Sequence, residues 1–137
     1  MNWDDVWAEA IAPTILADAE ISSVIGDALY LAGSRKFEVP SITALLIVDT
    51  EGEVWAPADW QFDLYMKTQA QLRTAARALR RLLHAEVQQE LGPFLLWTEF
   101  LEGRADVGPD DVQAFHRYSM DFRFTPGRSL YLTAQES

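Results

Sequence analysis

Two histidines, His84 and His116, are the side chains best suited to acid–base or metal chemistry in this 137-residue chain. Neither has a partner at metal-ligand spacing, and there is no HExxH run or His/Asp cluster. His84 falls near the end of an Arg-bearing helical pattern, where a cation suits the helix dipole, and His116 opens a strand pattern. A surface or capping role is expected for both. The chain has no cysteine, which removes disulfides, thiolate nucleophiles and Cys-ligated metals together. The GxSxG elbow, the Walker A loop and GxGxxG are all missing. Ser22-Ser23 is the nearest approach to a nucleophile, and paired serines are ordinary turn residues. Asp63 and Asp121 lie on the polar faces of two strand patterns, but paired-carboxylate catalysis needs a set separation and a cleft. Asp106, Asp110 and Asp111 around Gly108 lack the alternating ligands and terminal Glu of an EF-hand loop. No catalytic centre, metal or cofactor is expected.

Residues suited to meeting other proteins are easier to find. The net charge is −10, which opposes nucleic-acid binding through a broad positive surface. The charge is uneven. The first 27 residues carry Asp4, Asp5, Glu9, Asp18, Glu20 and Asp27 and no Lys or Arg. Arg73, Arg77, Arg80 and Arg81 fall together on one face of a helical pattern with no acid between Thr68 and Ala85. An acidic end and a basic strip can join copies of one chain, or unlike partners, by complementary charge; two solvated faces are the plainer reading. Arg35 and Lys36 add a basic stretch in the exposed loop pattern from Ala32 to Val39. Trp3 and Trp7 stand four residues apart, so they share a helix face. They suit either the core or a subunit interface, where Trp is enriched.

These residues need elements to hold them. The length fits a single domain over 1–137, and 49% apolar residues supply a core. No apolar run approaches a membrane span. No basic stretch leads into an apolar one at the N-terminus, so no secretory signal is expected. Trp3 to about Ala19 has helical spacing, with a kink or two short helices expected at Pro13. Ile21 to Asp27 reads as a compact turn and Ala28–Tyr30 as a short strand. Ile42 to Val48 is a near-continuous apolar run, read as a buried strand, followed by a turn from Asp49 to Glu53. Trp60, Phe62, Leu64 and Met66 alternate with polar positions, the period of a half-buried strand. Thr68 and Gln71 make a capping box for a helix that continues through Val87 to a stop at Gly92-Pro93. Phe94 to Leu101 is a strand and Glu102 to Asp111 a loop. Phe115 to Thr125 is the last strand, with Tyr118, Met120, Phe122 and Phe124 on one face. A polar tail follows from about 127. The expected fold is α+β: a four-stranded, mainly antiparallel sheet with an N-terminal helix and one long helix packed on one face.

The order and spacing of several short motifs resemble a known family. An N-terminal helix runs into Ser22-Ser-Val-Ile-Gly26-Asp27-Ala-Leu-Tyr30. Pro40 precedes the apolar strand, and an acidic turn leads to Gln61-Phe-Asp63-Leu-Tyr65 and a helix opened by Thr68. The closing strand reads Tyr118-Ser-Met-Asp121-Phe-Arg123-Phe. From about residue 5 to 125 the chain is similar to the tail-terminator, or tail-completion, proteins of long-tailed bacteriophages and gene transfer agents. The resemblance implies a non-enzymatic virion protein, assembled in the host cytoplasm, that forms a six-membered ring. Such a ring caps the tail tube, meets a head-completion or connector protein, and lets DNA pass through its lumen without sequence-specific binding. Neither a cofactor nor a membrane is implied. The docking loops of the family vary, so Ala32–Val39 and Glu102–Asp111 have no residue-by-residue match. Two alternatives stay open: a head-completion or neck connector, and a small-ligand-binding α+β domain with a Trp-lined pocket.

Overall fold

The N-terminal segment is helical, but its path is set by one proline. The computed structural model describes residues 3–33, 38–48, 57–84, 89–91, 94–105 and 115–126. α1 (Trp3–Val6) passes into a π-helical turn, Trp7–Ile11, before α2 (Ala12–Ala17). Pro13 sits in the first turn of α2, where its missing N–H costs nothing, while its ring crowds the carbonyl four residues back. The widened turn relieves that crowding, with the Ala12 N–H reaching the Trp7 carbonyl. The expected kink is therefore a π turn. Asp18 then breaks the helix and starts another, α3 (Ala19–Ile25), by accepting the Ile21 N–H at 3.1 Å. The compact turn expected over Ile21 to Asp27 is thus mostly helix. It closes at Gly26, whose φ of 63° is cheap only without a Cβ.

The sheet has six strands rather than four, in the order β1-β2-β3-β6-β5-β4. These are β1 (Leu29–Leu31), β2 (Ser41–Val48), β3 (Ala58–Met66), β4 (Gln89–Leu91), β5 (Phe94–Ala105) and β6 (His116–Pro126). Pairing is antiparallel except for β1 with β2, which is parallel. Of the two edge strands, β1 lies within one residue of the short strand expected over Ala28–Tyr30, while β4, three residues long, is too short to leave a periodic signal. β3 pairs along its whole length with β6, placing Trp60 opposite Phe122 and Phe62 opposite Met120. Their inner faces are sealed: Trp60, Phe62, Leu64, Met66, Phe122 and Phe124 are all buried. Each such side chain contributes about 1.5–3 kcal/mol by leaving water.

The long helix α4 (Gln69–Leu83) closes the core on that same face, through Leu72, Ala75, Ala78, Leu79 and Leu83. Its cap is nearly the expected box. Thr68 Oγ1 accepts the Gln71 N–H at 3.1 Å, while Gln71 Oε1 accepts the N–H of Lys67, one residue outside the cap. The helix ends at Leu83, well before Gly92-Pro93. Beyond it the Gln89 side chain donates to the Leu82 carbonyl at 3.2 Å and to Thr98 Oγ1 at 2.9 Å. Leu91 is buried beneath β4 pairing. A strand that buries Leu91 and satisfies the helix end outweighs continued helical periodicity.

β5 also exceeds its expected length, because Glu102–Ala105 continue the strand past a bulge between Phe100 and Glu102. A Cβ on Gly103 would stand 1.8 Å from Tyr118 Oη; the glycine leaves room for that ring to lie across the strand. Among the described residues no helix is long and apolar enough to cross a membrane. The turn from Asp49 to Glu53, Val87, Gly92-Pro93, the three aspartates at 106, 110 and 111, and the tail from 127 lie outside the described residues.

Candidate functional site

Three arginines of α4, Arg77, Arg80 and Arg81, make contacts within the chain. Arg81 Nη2 donates to Asp18 Oδ1 at 2.7 Å and lies 3.4 Å from Glu20 Oε1. Arg77 lies 3.6 Å from Glu20 Oε2, with 74% of its side chain exposed. The Arg80 guanidinium stands 4.5 Å over the Phe100 ring, a cation–π contact. Arg73 is exposed. Asp18 therefore does two jobs, capping α3 and tying it to the last turn of α4. The Arg81 hydrogen bond holds its carboxyl below the ordinary value, with burial opposing and the Ile21 N–H adding to the effect.

The tryptophans proposed from sequence as core or interface are core. Trp3 stacks on Phe124 with centroids 6.4 Å apart, and Trp7 on Trp60 at 5.5 Å. Both are buried, because the helix face they share is the one laid on the sheet. Asp4 and Asp5 occupy the exposed side of the same helix. Arg35 and Lys36 lie outside the described residues.

The sheet face turned away from the helices carries a polar network that strand alternation alone does not predict in detail. Arg123 Nε and Nη2 donate to the two carboxylate oxygens of Asp59 at 2.8 and 3.3 Å. Arg104 makes the same forked contact with Asp121, at 2.7 and 3.2 Å, and reaches Glu102 and Gln61 as well. These pairs raise the pKa of both arginines. Asp63 is the buried member at 9% exposure. It accepts from Ser119 Oγ at 2.6 Å, Gln61 Nε2 at 2.9 Å and Arg117 Nη2 at 3.3 Å. A buried carboxylate so surrounded has its hydrogen bonds met within the chain. Asp63 and Asp121 are thus neighbours on one face, as their strand positions suggest, yet each is held by its own arginine. That arrangement suits a fixed surface better than proton transfer, which needs a carboxylate free to take and give a proton.

Each histidine makes one hydrogen-bond contact within the chain. His84 Nδ1 accepts the Phe100 N–H at 3.1 Å, and Gln69 Nε2 lies 3.1 Å from His116 Nδ1. Among the described residues no group of three or more His, Cys, Asp or Glu is placed to hold a metal. A cavity of about 210 Å³ opens beside Trp60, Asp4 and Leu31, smaller than the ~300 Å³ at which small-molecule pockets begin.

No family model matches the sequence, and no curated protein does. Ten chains of solved structures do match. One belongs to the virion of a native gene transfer agent (GTA) particle, at a TM-score of 0.63 and 18% identity, covering 85% of this chain and 91% of that one. At such identity the likeness lies in the path of the backbone, and it spans most of both chains.

Proposed function

We propose that this protein is a virion structural component, acting without catalysis as the terminator ring of a long tail. The observation that carries the proposal is the near end-to-end fold match to a chain of a gene transfer agent particle. The ordered sequence motifs from the N-terminal helix to Tyr118-Ser-Met-Asp121 support the same reading independently. The polar groups agree with it: Asp59, Asp63 and Asp121 on the sheet face away from the helices are each ion-paired to an arginine. Six copies form the ring in this reading. One side seats on the tail-tube protein, the other meets a head-completion or connector protein, and DNA passes through the lumen.

The test is assembly. Purified protein mixed with isolated tail tubes is expected to form rings on tube ends, visible by negative-stain electron microscopy, and a discrete oligomer by native mass spectrometry. Rings that complete filled heads, and ignore tubes, would reassign the protein to the head side of the junction. A stable monomer that binds neither would refute the proposal.

A further inference from the structure

The seam between α3 and α4 balances its own charge, because Asp18 and Glu20 on α3 face Arg77 and Arg81 on α4. What α4 holds beyond that balance is positive. The exposed Arg73 side chain makes no hydrogen bond or ion pair among the described residues. Arg80 lies over the Phe100 ring without a carboxylate partner among them. Arg77, 3.6 Å from Glu20, keeps 74% of its side chain exposed. Spaced four and three residues apart, Arg73, Arg77 and Arg80 form one stripe of the helix. No acid lies between Thr68 and Ala85 to neutralise it.

The first helix holds the opposite surplus. Asp5 and Glu9 stand four residues apart on its exposed side, and their carboxylates make no hydrogen bond or ion pair among the described residues. The first 27 residues contain no Lys or Arg. The two rows also lean toward opposite sides of the sheet. Asp4, next to Asp5, lines a cavity with Leu31, Ala44 and Leu46 of β1 and β2. Arg80 instead lies over Phe100 of β5, and β3 and β6 separate β2 from β5. The acidic row and the arginine stripe of one chain therefore do not meet.

We propose that they meet between copies of this chain: Asp5 and Glu9 of one subunit dock on Arg73 and Arg77 of the next, with Arg80 extending the stripe. The occupant is a second copy because the charges are complementary and the spacing matches, each pair being four residues, about one helical turn, apart. Every subunit offers both rows, on different sides, which makes the contact head-to-tail; such a contact closes into a ring when the rotation allows. Single exposed ion pairs add little adhesion, so the rows act on register and encounter. Copies of a chain with net charge −10 repel one another overall, and the rows favour the approach that brings opposite charges together. The contact rests on the ring reading above, and it names residues that set the register of that ring.

The test is charge reversal and its repair, read by sedimentation velocity with and without tail tubes. Asp5→Lys/Glu9→Lys presents like charge to the arginine stripe, and Arg73→Glu/Arg77→Glu presents like charge to the acidic row. Each one-sided variant should raise the concentration needed for assembly roughly tenfold or more, because opposed like charges disfavour the contact. A chain carrying all four changes has opposite charges across every contact again, and should assemble near the wild-type concentration. Arg73→Glu alone disturbs no side-chain contact within the described fold; it should weaken assembly in the same direction and leave the melting temperature of the free subunit unmoved. For the wild type, raising salt from about 0.1 M to about 1 M cuts the screening length from ~10 Å to ~3 Å and should weaken assembly too. One-sided variants that assemble normally, or a quadruple variant no better than they are, overturn the contact and leave the terminator reading standing. An oligomer repaired by the four changes that ignores tubes keeps the contact and removes the terminator reading. A wild-type chain that stays monomeric in the presence of tubes removes both.

Discussion

Asp18→Ala should lower the melting temperature by about 3–4 °C at neutral pH. Asp18 Oδ2 accepts the Ile21 N–H at 3.1 Å and Oδ1 accepts from Arg81 at 2.7 Å, so the substitution removes the α3 cap and the tie to α4 together. Loss of such a cap costs about 1 kcal/mol. For 137 residues, an unfolding entropy of about 2.1 cal/mol/K per residue converts ~1 kcal/mol to ~3.5 °C. The half-exposed Arg81 adds to this in the same direction, reduced by solvent screening. Asp18→Asn separates the two roles, since Asn caps as well as Asp but carries no charge; it should lose less than Asp18→Ala. The folded-state pKa of Asp18 lies below its ordinary 3.8. Its carboxylate therefore stabilises the fold fully above that value, and the contribution drains away as pH falls below it. The gap between wild type and Asp18→Asn should accordingly close in acid. The assay is thermal unfolding followed by circular dichroism at neutral pH and below pH 3.8, with Arg81→Ala completing a double-mutant cycle. An Asp18→Ala protein that melts with wild type, or a cycle with no coupling, would refute the assignment.

Three further substitutions probe the sheet and core. Ser119→Ala removes the 2.6 Å donor to the buried Asp63 carboxylate and should cost about 1–3 kcal/mol by urea titration; an unmoved midpoint means that Ser119 is dispensable to the network. Gly103→Ala would set a Cβ 1.8 Å from Tyr118 Oη and should destabilise by about 1–3 kcal/mol. In a Tyr118→Ala background the same change should be harmless, and an equal loss there would show that the ring is not the obstacle. Leu79→Ala empties a fully buried site of α4, for about 2–5 kcal/mol; a loss under about 1 kcal/mol would mean the helix does not pack as described.

Much of the architecture is legible in residue spacing because the large elements are amphipathic. Trp60, Phe62, Leu64 and Met66 alternate on β3, and Leu72, Ala75, Leu79 and Leu83 repeat on α4. Both sets are buried where their periods place them. The Thr68–Gln71 cap is local chemistry and reads directly. The errors share one cause, competition between local pattern and distant partners. β4 spans three residues, below the length at which alternation shows, whereas β1 is legible as the short strand at Ala28–Tyr30. α4 stops at Leu83 because Gln89 and Thr98, strands away in the sheet, take up its end. Glu102–Ala105 looks like a loop until Tyr118 is seen to lie across Gly103 and Arg104 to grip Asp121.

The charged residues draw the same line more sharply. The sequence by itself determined that this chain has an acidic N-terminal stretch, an arginine face on one helix and no constellation of residues with catalytic spacing, since those depend on residue type and position along the chain. Only the tertiary structure decided what the charges do. It spends Arg77 and Arg81 on Glu20 and Asp18 of the same chain and turns Trp3 and Trp7 inward, because packing α3 against α4 and the first helix against the sheet satisfies them there. Among the described residues, the large hydrophobic side chains left exposed are Leu31, Leu45, Ile47, Trp97 and Leu101, from strands far apart in sequence. No stretch of sequence alone could reveal them as surfaces, because exposure belongs to the folded shape rather than to the residue.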